Sequence, residues 1–279
     1  LPPTVRSLVF DESNIKDADF SKVSLSRFSD LQMLSLGFNP EITGQSLKPL
    51  ASLPKLPWLI LRNTSVRDDD LIMVNSVKML SILDLTDCEI SDRGIALLDL
   101  PQLSVLNLSG TQISEAFPSS LKGCPKLTSF VVDGTAANDK TLQHLIEKYP
   151  MLALVSFSLT SVTDEGIACL AGAKELRGLF LARTQITDKG IAGLNACSKL
   201  ETLYVSGNPI EGSGFEQWKE HPNIHILHAS HTKLTPQGLA SLAALPKLNK
   251  LWLDSCGRLT EDIINDFKQK RPDVDITWS

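Results

Sequence analysis

The chain has 279 residues, 42% of them hydrophobic and 21% charged, with a formal net charge of -5. That balance excludes intrinsic disorder and supplies enough apolar residues for a sizeable core. The small acidic excess is spread out with no Lys/Arg stripe to neutralise phosphates, and polar residues break every apolar run well short of ~20, so neither nucleic acid nor a membrane span is expected.

The first residues, Leu1-Pro2-Pro3, hold neither an initiator Met nor a basic-then-apolar signal, which is the pattern of a piece trimmed from a longer product. A phrase of form L-x-x-L-x-L-x-x-[TNC] then starts at Val5, Leu31, Leu56, Leu80, Leu103, Leu127, Leu152, Leu176, Leu200, Ile224 and Leu248. Its spacing stays at about 23 to 26 residues throughout. The first copy carries extra residues, with Phe20, Val23, Leu25 and Phe28 at near-helical spacing, and reads as a cap. Two departures follow: Pro118 interrupts the helix expected after Ile113, and in 211–222 Trp218 replaces a small residue. The chain closes on Pro272-Asp273-Val274-Asp275-Ile276-Thr277-Trp278, which reads as a second cap.

Each position of the phrase has a physical task. In a short strand the fourth and sixth residues point the same way, into a core, and the first closes the layer. The ninth is Thr (Thr64, Thr111, Thr135, Thr160, Thr184, Thr232), Asn (Asn39, Asn208) or Cys (Cys88, Cys256). These side chains are small enough to turn inward where the chain leaves the strand, and the polar ones can bond the turn backbone. An anchor follows two residues on (Val66, Ile90, Ile113, Val162, Ile186, Ile210, Leu234), and then a run such as Thr163-Asp164-Glu165-Gly166-Ile167. Thr or Ser there is a good helix N-cap, and the acidic residues suit the positive end of the helix dipole. Thr235-Pro236 fits the same start, because Pro is favoured at the first helical position. Ile167, Leu170 and Ala173 recur at helical spacing and give a short outer helix.

These residues resemble the leucine-rich repeats of the ribonuclease-inhibitor-like and cysteine-containing type, through the recurring G-T-x-I-[ST]-D-x-G-I run. The copies with Cys in ninth place, together with Cys124-Pro125-Lys126-Leu127, are similar to repeats behind F-box segments in ubiquitin-ligase substrate receptors, and the Thr copies to bacterial repeat proteins. The resemblance covers essentially the whole chain. It implies an α/β fold: a right-handed leucine-rich-repeat solenoid, or horseshoe, of about eleven repeats, with a parallel concave sheet and short outer helices. A single domain over 1–279 is expected, with an N-terminal repeat and cap in 1–30, regular repeats in 31–273 and a capping strand in 274–279.

Helices need roughly 10 Å of lateral room against about 4.8 Å for strands, so the strands are expected to line the concavity. Positions two, three, five, seven and eight then face it, and the fifth column reads Val9, Ser35, Ile60, Asp84, Asn107, Val131, Ser156, Phe180, Tyr204, His228 and Trp252. Its last four members form an aromatic ladder, with Arg177, Arg183, His225, His231, Lys250 and Asp254 around it. Aromatic and Arg side chains are the usual anchors of interfaces; cross-strand packing alone is the competing explanation. A second apolar group comprises Met33, Phe38, Trp58, Ile60 and Ile82, either as a patch or as packing against the N-terminal cap.

Chemistry finds little support. His225, His228 and His231 reverse direction along about 10 Å of strand and are not expected to converge on a metal. His144 and His221 fall on outer segments and are expected to face solvent. The five cysteines are widely separated, read as free and mostly buried thiols, and lean towards a reducing compartment. The recurring Asp92, Asp164 and Asp188 belong to the helix start, and no phosphate loop or nucleophile elbow is present. The expectation is a non-enzymatic module without cofactor or metal that binds a protein or peptide through Phe180, Arg183, Tyr204, His228, His231, Trp252 and Asp254. A carbohydrate-binding or structural surface protein, and a substrate-receptor arm of a ubiquitin ligase or effector, are the alternatives.

Overall fold

Each repeat contributes a three-residue strand built from the third, fourth and fifth positions of its phrase. The computed structural model describes residues 4–218 and 221–279; Leu1-Pro2-Pro3, and Lys219 and Glu220 within the 211–222 departure, lie outside the described residues. Two compact units divide the chain, 1–136 and 137–279. The first carries β1 (Ser7–Val9), β2 (Met33–Ser35), β3 (Trp58–Ile60), β4 (Ile82–Asp84), β5 (Val105–Asn107) and β6 (Ser129–Val131). The second carries β7 (Leu154–Ser156), β8 (Gly178–Phe180), β9 (Thr202–Tyr204), β10 (Ile226–His228), β11 (Lys250–Trp252) and β12 (Asp275–Thr277). Within each unit the strands lie in chain order and pair in parallel, so that like positions of successive phrases stand side by side. This is the α/β repeat architecture expected from the sequence.

The fourth position points inward in every repeat. Leu34, Leu59, Leu83 and Leu106 stack in the first unit, and Val155, Leu179, Leu203, Leu227 and Leu251 in the second, all buried. Such columns remove apolar surface from water along the whole of each unit, which is the main favourable term in folding. The ninth position does the work its chemistry allows. Thr64, Thr111, Thr184 and Thr232 each donate a hydroxyl to the carbonyl three residues back. Asn208, Cys88 and Cys256 reach instead to a carbonyl of the preceding repeat, at Leu181, Leu61 and Ala229 respectively.

The Asp of the helix start links repeats as well as facing a dipole. Asp164 accepts from Thr187 N at 2.8 Å, Thr187 Oγ1 at 2.6 Å and Gly190 N at 3.0 Å, all in the next repeat. Asp17, Asp68, Asp92 and Asp139 hold Thr43, Ser91, Ser114 and Thr163 in the same way. The glycine of the run makes room for that carboxylate: a Cβ on Gly190 would sit 2.4 Å from Asp164 Oδ1, and one on Gly166 2.3 Å from Asp139 Oδ1. Thr, Asp and Gly are therefore one clamp, and the Thr in turn caps its own helix, as Thr163 and Thr187 do.

The outer elements are shorter and more varied than the expected helices. Residues Asp139–Lys148 form a ten-residue α-helix, whereas Gly44–Ser52 and Ser213–Trp218 are 3-10 helices. Pro118 lies in the first turn of a four-residue helix, Phe117–Ser120, where its missing N–H costs nothing. At the start, helix Asp17–Phe20 and the 3-10 turn Leu25–Arg27 bury Phe20 and Leu25. At the far end Arg271, its side chain 14% exposed, donates to the carbonyls of Ala243, Leu245 and Leu248 while pairing with Asp273 at 2.7 Å. Among the described residues no helix is long and apolar enough to cross a membrane.

Candidate partner-binding face

The strands of the second unit present their third and fifth positions away from the core. In register, Phe180, Tyr204, His228 and Trp252 fall on successive strands at one position, which places their rings about one strand spacing apart. They stack: ring centroids lie 4.7 Å apart for Phe180 and Tyr204, 5.0 Å for Tyr204 and His228, and 5.4 Å for His228 and Trp252. The interplanar angles fall from 33° through 22° to 11° along the series. All four side chains are half-buried. Since each ring covers its neighbour's face, the inner rings turn edges outward and only the terminal rings, Phe180 and Trp252, have a face that no other ring of the ladder covers. Each offset or stacked pair contributes about 0.5–1.5 kcal/mol beyond its area.

The imidazole is held from the side as well. Ser206 Oγ hydrogen-bonds His228 Nδ1, a contact the sequence reading did not single out although Ser206 precedes the next turn in the same column as Asp254. Burial pushes the His228 pKa below its ordinary 6.5; Asp254 opposes the shift and His231 adds to it. Gly178, opposite Leu154, leaves space into which the Phe180 ring leans, since a Cβ there would stand 3.4 Å from Phe180 Cε2.

The flanks of the ladder are set by the turn after each strand. The eighth position is left-handed in repeat after repeat: Phe38, Asn63, Asp87, Leu159, Arg183, His231 and Ser255 have φ between 52 and 58°, and Gly110, Gly134 and Gly207 occupy the same place. Its backbone N–H then reaches the next repeat, as from Arg183 to Ser206 O at 2.7 Å and from His231 to Asp254 O at 2.7 Å. A non-glycine residue pays about 1–2 kcal/mol for this conformation. Arg183 and His231 are exposed there, on one flank of the ladder, and Asp254 lies beside them, accepting from Ser279 Oγ at 3.0 Å. On the opposite flank Arg177 is ion-paired with Glu201, and Lys250 pairs in register with Asp275.

The structure therefore brings Phe180, Tyr204, His228 and Trp252 into contact, with Arg183, His231 and Asp254 along one side. His225, His228 and His231 stand before, on and after β10, and among the described residues no group of three His, Cys, Asp or Glu is arranged to hold a metal. His144 is exposed, but His221 is not solvent-facing as its outer position suggested: it is 1% exposed, stacked on Trp218 at 5.3 Å, with Nε2 donating to Cys197 O at 3.1 Å. The reason is local, because the 3-10 helix turns Trp218 inward and the imidazole fills the space beside it. Cys88, Cys124, Cys197 and Cys256 are buried and Cys169 half-buried, and none of the five is in a disulfide. Burial pushes the Cys169 thiol up to about 12 and Cys197 to about 11, which leaves neither a ready nucleophile. In the first unit Trp58 is 46% exposed, next to Met33 and Ile82 in register, and Phe38 lies under Arg62 with the guanidinium 5.2 Å from its ring.

Comparison with known proteins agrees with the repeat. The family described as leucine-rich repeat region matches residues 4–271. No curated protein sequence matches the chain. Among solved structures it is similar to an internalin from Listeria monocytogenes, with 19% identity and a TM-score of 0.59, over 94% of this chain and 82% of that one. It is also similar to internalin C2 of the same organism (22% identity, TM-score 0.52, 75% and 84% covered). A third likeness is to TLR13 in a complex with ssRNA13, at 20% identity and TM-score 0.61, where 90% of this chain spans 39% of that one. At these identities the structures speak for the fold alone, and with the family match over nearly its full length, the chain belongs to the leucine-rich-repeat family.

Proposed function

We propose that the chain is a non-enzymatic interaction module that captures a protein or peptide on the strand face of residues 137–279. Phe180, Tyr204, His228 and Trp252 are its anchors and Arg183, His231 and Asp254 its polar rim. The observation that carries this reading is the unbroken four-ring stack at solvent-facing strand positions. Core packing does not require it, because the fourth and sixth positions already fill the core. Pre-stacked rings lose little conformational entropy on binding, which favours their use as anchors. On the subtype of repeat, Cys88 and Cys256 at the ninth position support the ribonuclease-inhibitor-like, cysteine-containing kind.

A sugar-binding role is less favoured, because sugars stack on ring faces and the inner two rings have none free. Single-stranded RNA, named with TLR13, is disfavoured by the same geometry and by the net charge of -5. The test is affinity capture from the native source with wild type and with a variant carrying Phe180→Ala, Tyr204→Ala, His228→Ala and Trp252→Ala, with circular dichroism checking that both are folded. A partner held by wild type and lost by the folded variant is expected. A partner retained by the variant would place binding elsewhere.

A further inference from the structure

We propose that the segment held on the ladder face is acidic, with a carboxylate gripped by the Arg183 guanidinium on the side facing His231. This rests on the partner-binding reading above and adds the chemistry of the partner.

Arg183, Gly207 and His231 occupy the eighth position of three successive repeats, so Arg183 and His231 stand about 10 Å apart along the stack. Between them Gly207 contributes no side chain. A Cβ there would lie 2.8 Å from Arg183 Cγ, so the arginine stem leans over Gly207, on its His231 side. The result is an exposed row on one flank of Tyr204 and His228, with a cationic fork at one end and an imidazole at the other.

Neither Arg183 nor His231 forms an ion pair among the described residues. Of the nearby carboxylates, Glu201 is paired with Arg177 on the far flank, and Asp254, held by the hydroxyls of Ser279 and Ser230, lies at the His231 end, three repeats from Arg183. On this flank, Asp254 is the one carboxylate in the seventh and eighth columns from Ser158 to Ser255. An exposed guanidinium fork with no ion pair among the described residues favours a carboxylate, which it can grip with two parallel hydrogen bonds. Arg183 and His231 also hold a left-handed backbone that glycine would adopt without steric strain, so the turn itself does not call for either side chain. A nucleic acid meets the charge requirement but not the stacking one, since its bases need ring faces.

A random dodecapeptide library displayed on phage, panned on the full chain at low salt, tests this. Clones that bind wild type and not the four-alanine ladder variant are expected to be enriched in Asp and Glu. The leading clone, made as a synthetic peptide, is expected to lose affinity about tenfold or more on Arg183→Glu, and less on Arg183→Lys. Arg183→Gln serves as a second variant if Arg183→Glu does not fold. Ladder-dependent clones that are neutral or basic, or acidic clones indifferent to Arg183, would overturn the acidic partner and leave the ladder reading standing. Ladder-dependent binding of a twelve-nucleotide oligouridine tighter than the best acidic peptide would overturn it in favour of RNA. If no clone depends on the ladder, both readings fail.

Discussion

The imidazole of His228 lies 11° from parallel to the indole of Trp252, 5.4 Å between centroids, and its other face is covered by Tyr204. A ring sandwiched in this way is part of the surface and part of the packing at once. Its contacts are expected to be energetically coupled: in a double-mutant cycle of Tyr204→Ala and His228→Ala, urea unfolding should give a coupling energy of about 0.5–1.5 kcal/mol. A coupling indistinguishable from zero would mean that the rings merely lie near one another.

The clamp predicts non-additivity of another kind. Gly190→Ala places a methyl 2.4 Å from the Asp164 oxygen that holds Thr187 and Gly190. The substitution is expected to cost about 2–3 kcal/mol by displacing a partly buried, hydrogen-bonded carboxylate. Gly257→Ala, where nothing lies within 4 Å, should cost far less. In an Asp164→Ala background the Gly190→Ala cost should largely vanish, because the obstructing oxygen is gone; an undiminished cost would assign it to the neighbouring Ile167 side chain instead.

These two features differ in how far they were legible in the sequence. The strands, the inward leucine columns and the ring column follow from one phrase repeated in register, so counting along it placed Phe180, Tyr204, His228 and Trp252 side by side. The clamp was half visible: Thr163 and Asp164 read correctly as a helix start, but the partner of each carboxylate lies in the following repeat and a single copy does not reveal it. The left-handed eighth column left no chemical trace, because Phe38, Asn63, Asp87, Leu159, Arg183 and His231 share no property. Only the glycines at 110, 134 and 207 hinted at it. His221 misled because its position is outer in the repeat while the inward turn of Trp218 is specific to that copy.

His221 also gives the protein a pH dependence. Burial holds its pKa below the ordinary 6.5, against the opposing pull of the Cys197 carbonyl. The folded state keeps the imidazole neutral while the unfolded chain takes up a proton as pH falls through 6.5. Stability present above that value is therefore lost on acidification, and His228, shifted the same way, adds to the loss. Urea unfolding at about pH 7.5 and about pH 5.5 should show a smaller drop for His221→Gln than for wild type, whatever the variant's absolute stability. Equal drops would mean that His221 is protonated in the folded protein.

The eighth column separates stability from function most sharply. Leu159, with φ 58° and 55% exposed, gains little from packing and carries the left-handed cost. Leu159→Gly removes about 1–2 kcal/mol of strain and adds about 0.5–1 kcal/mol of chain entropy to the unfolded state. The net change is expected between zero and about 1.5 kcal/mol in favour of folding. Arg183→Gly follows the same arithmetic, because φ there is 52° and its guanidinium makes no ion pair among the described residues. If Arg183 is retained for its partner, Arg183→Gly should leave the urea midpoint unchanged or raised while weakening capture of the ladder-bound segment. A substitution that stabilises the fold and weakens binding assigns the strain to function. A fall in both would instead make Arg183 a packing residue whose stem over Gly207 supports the turn.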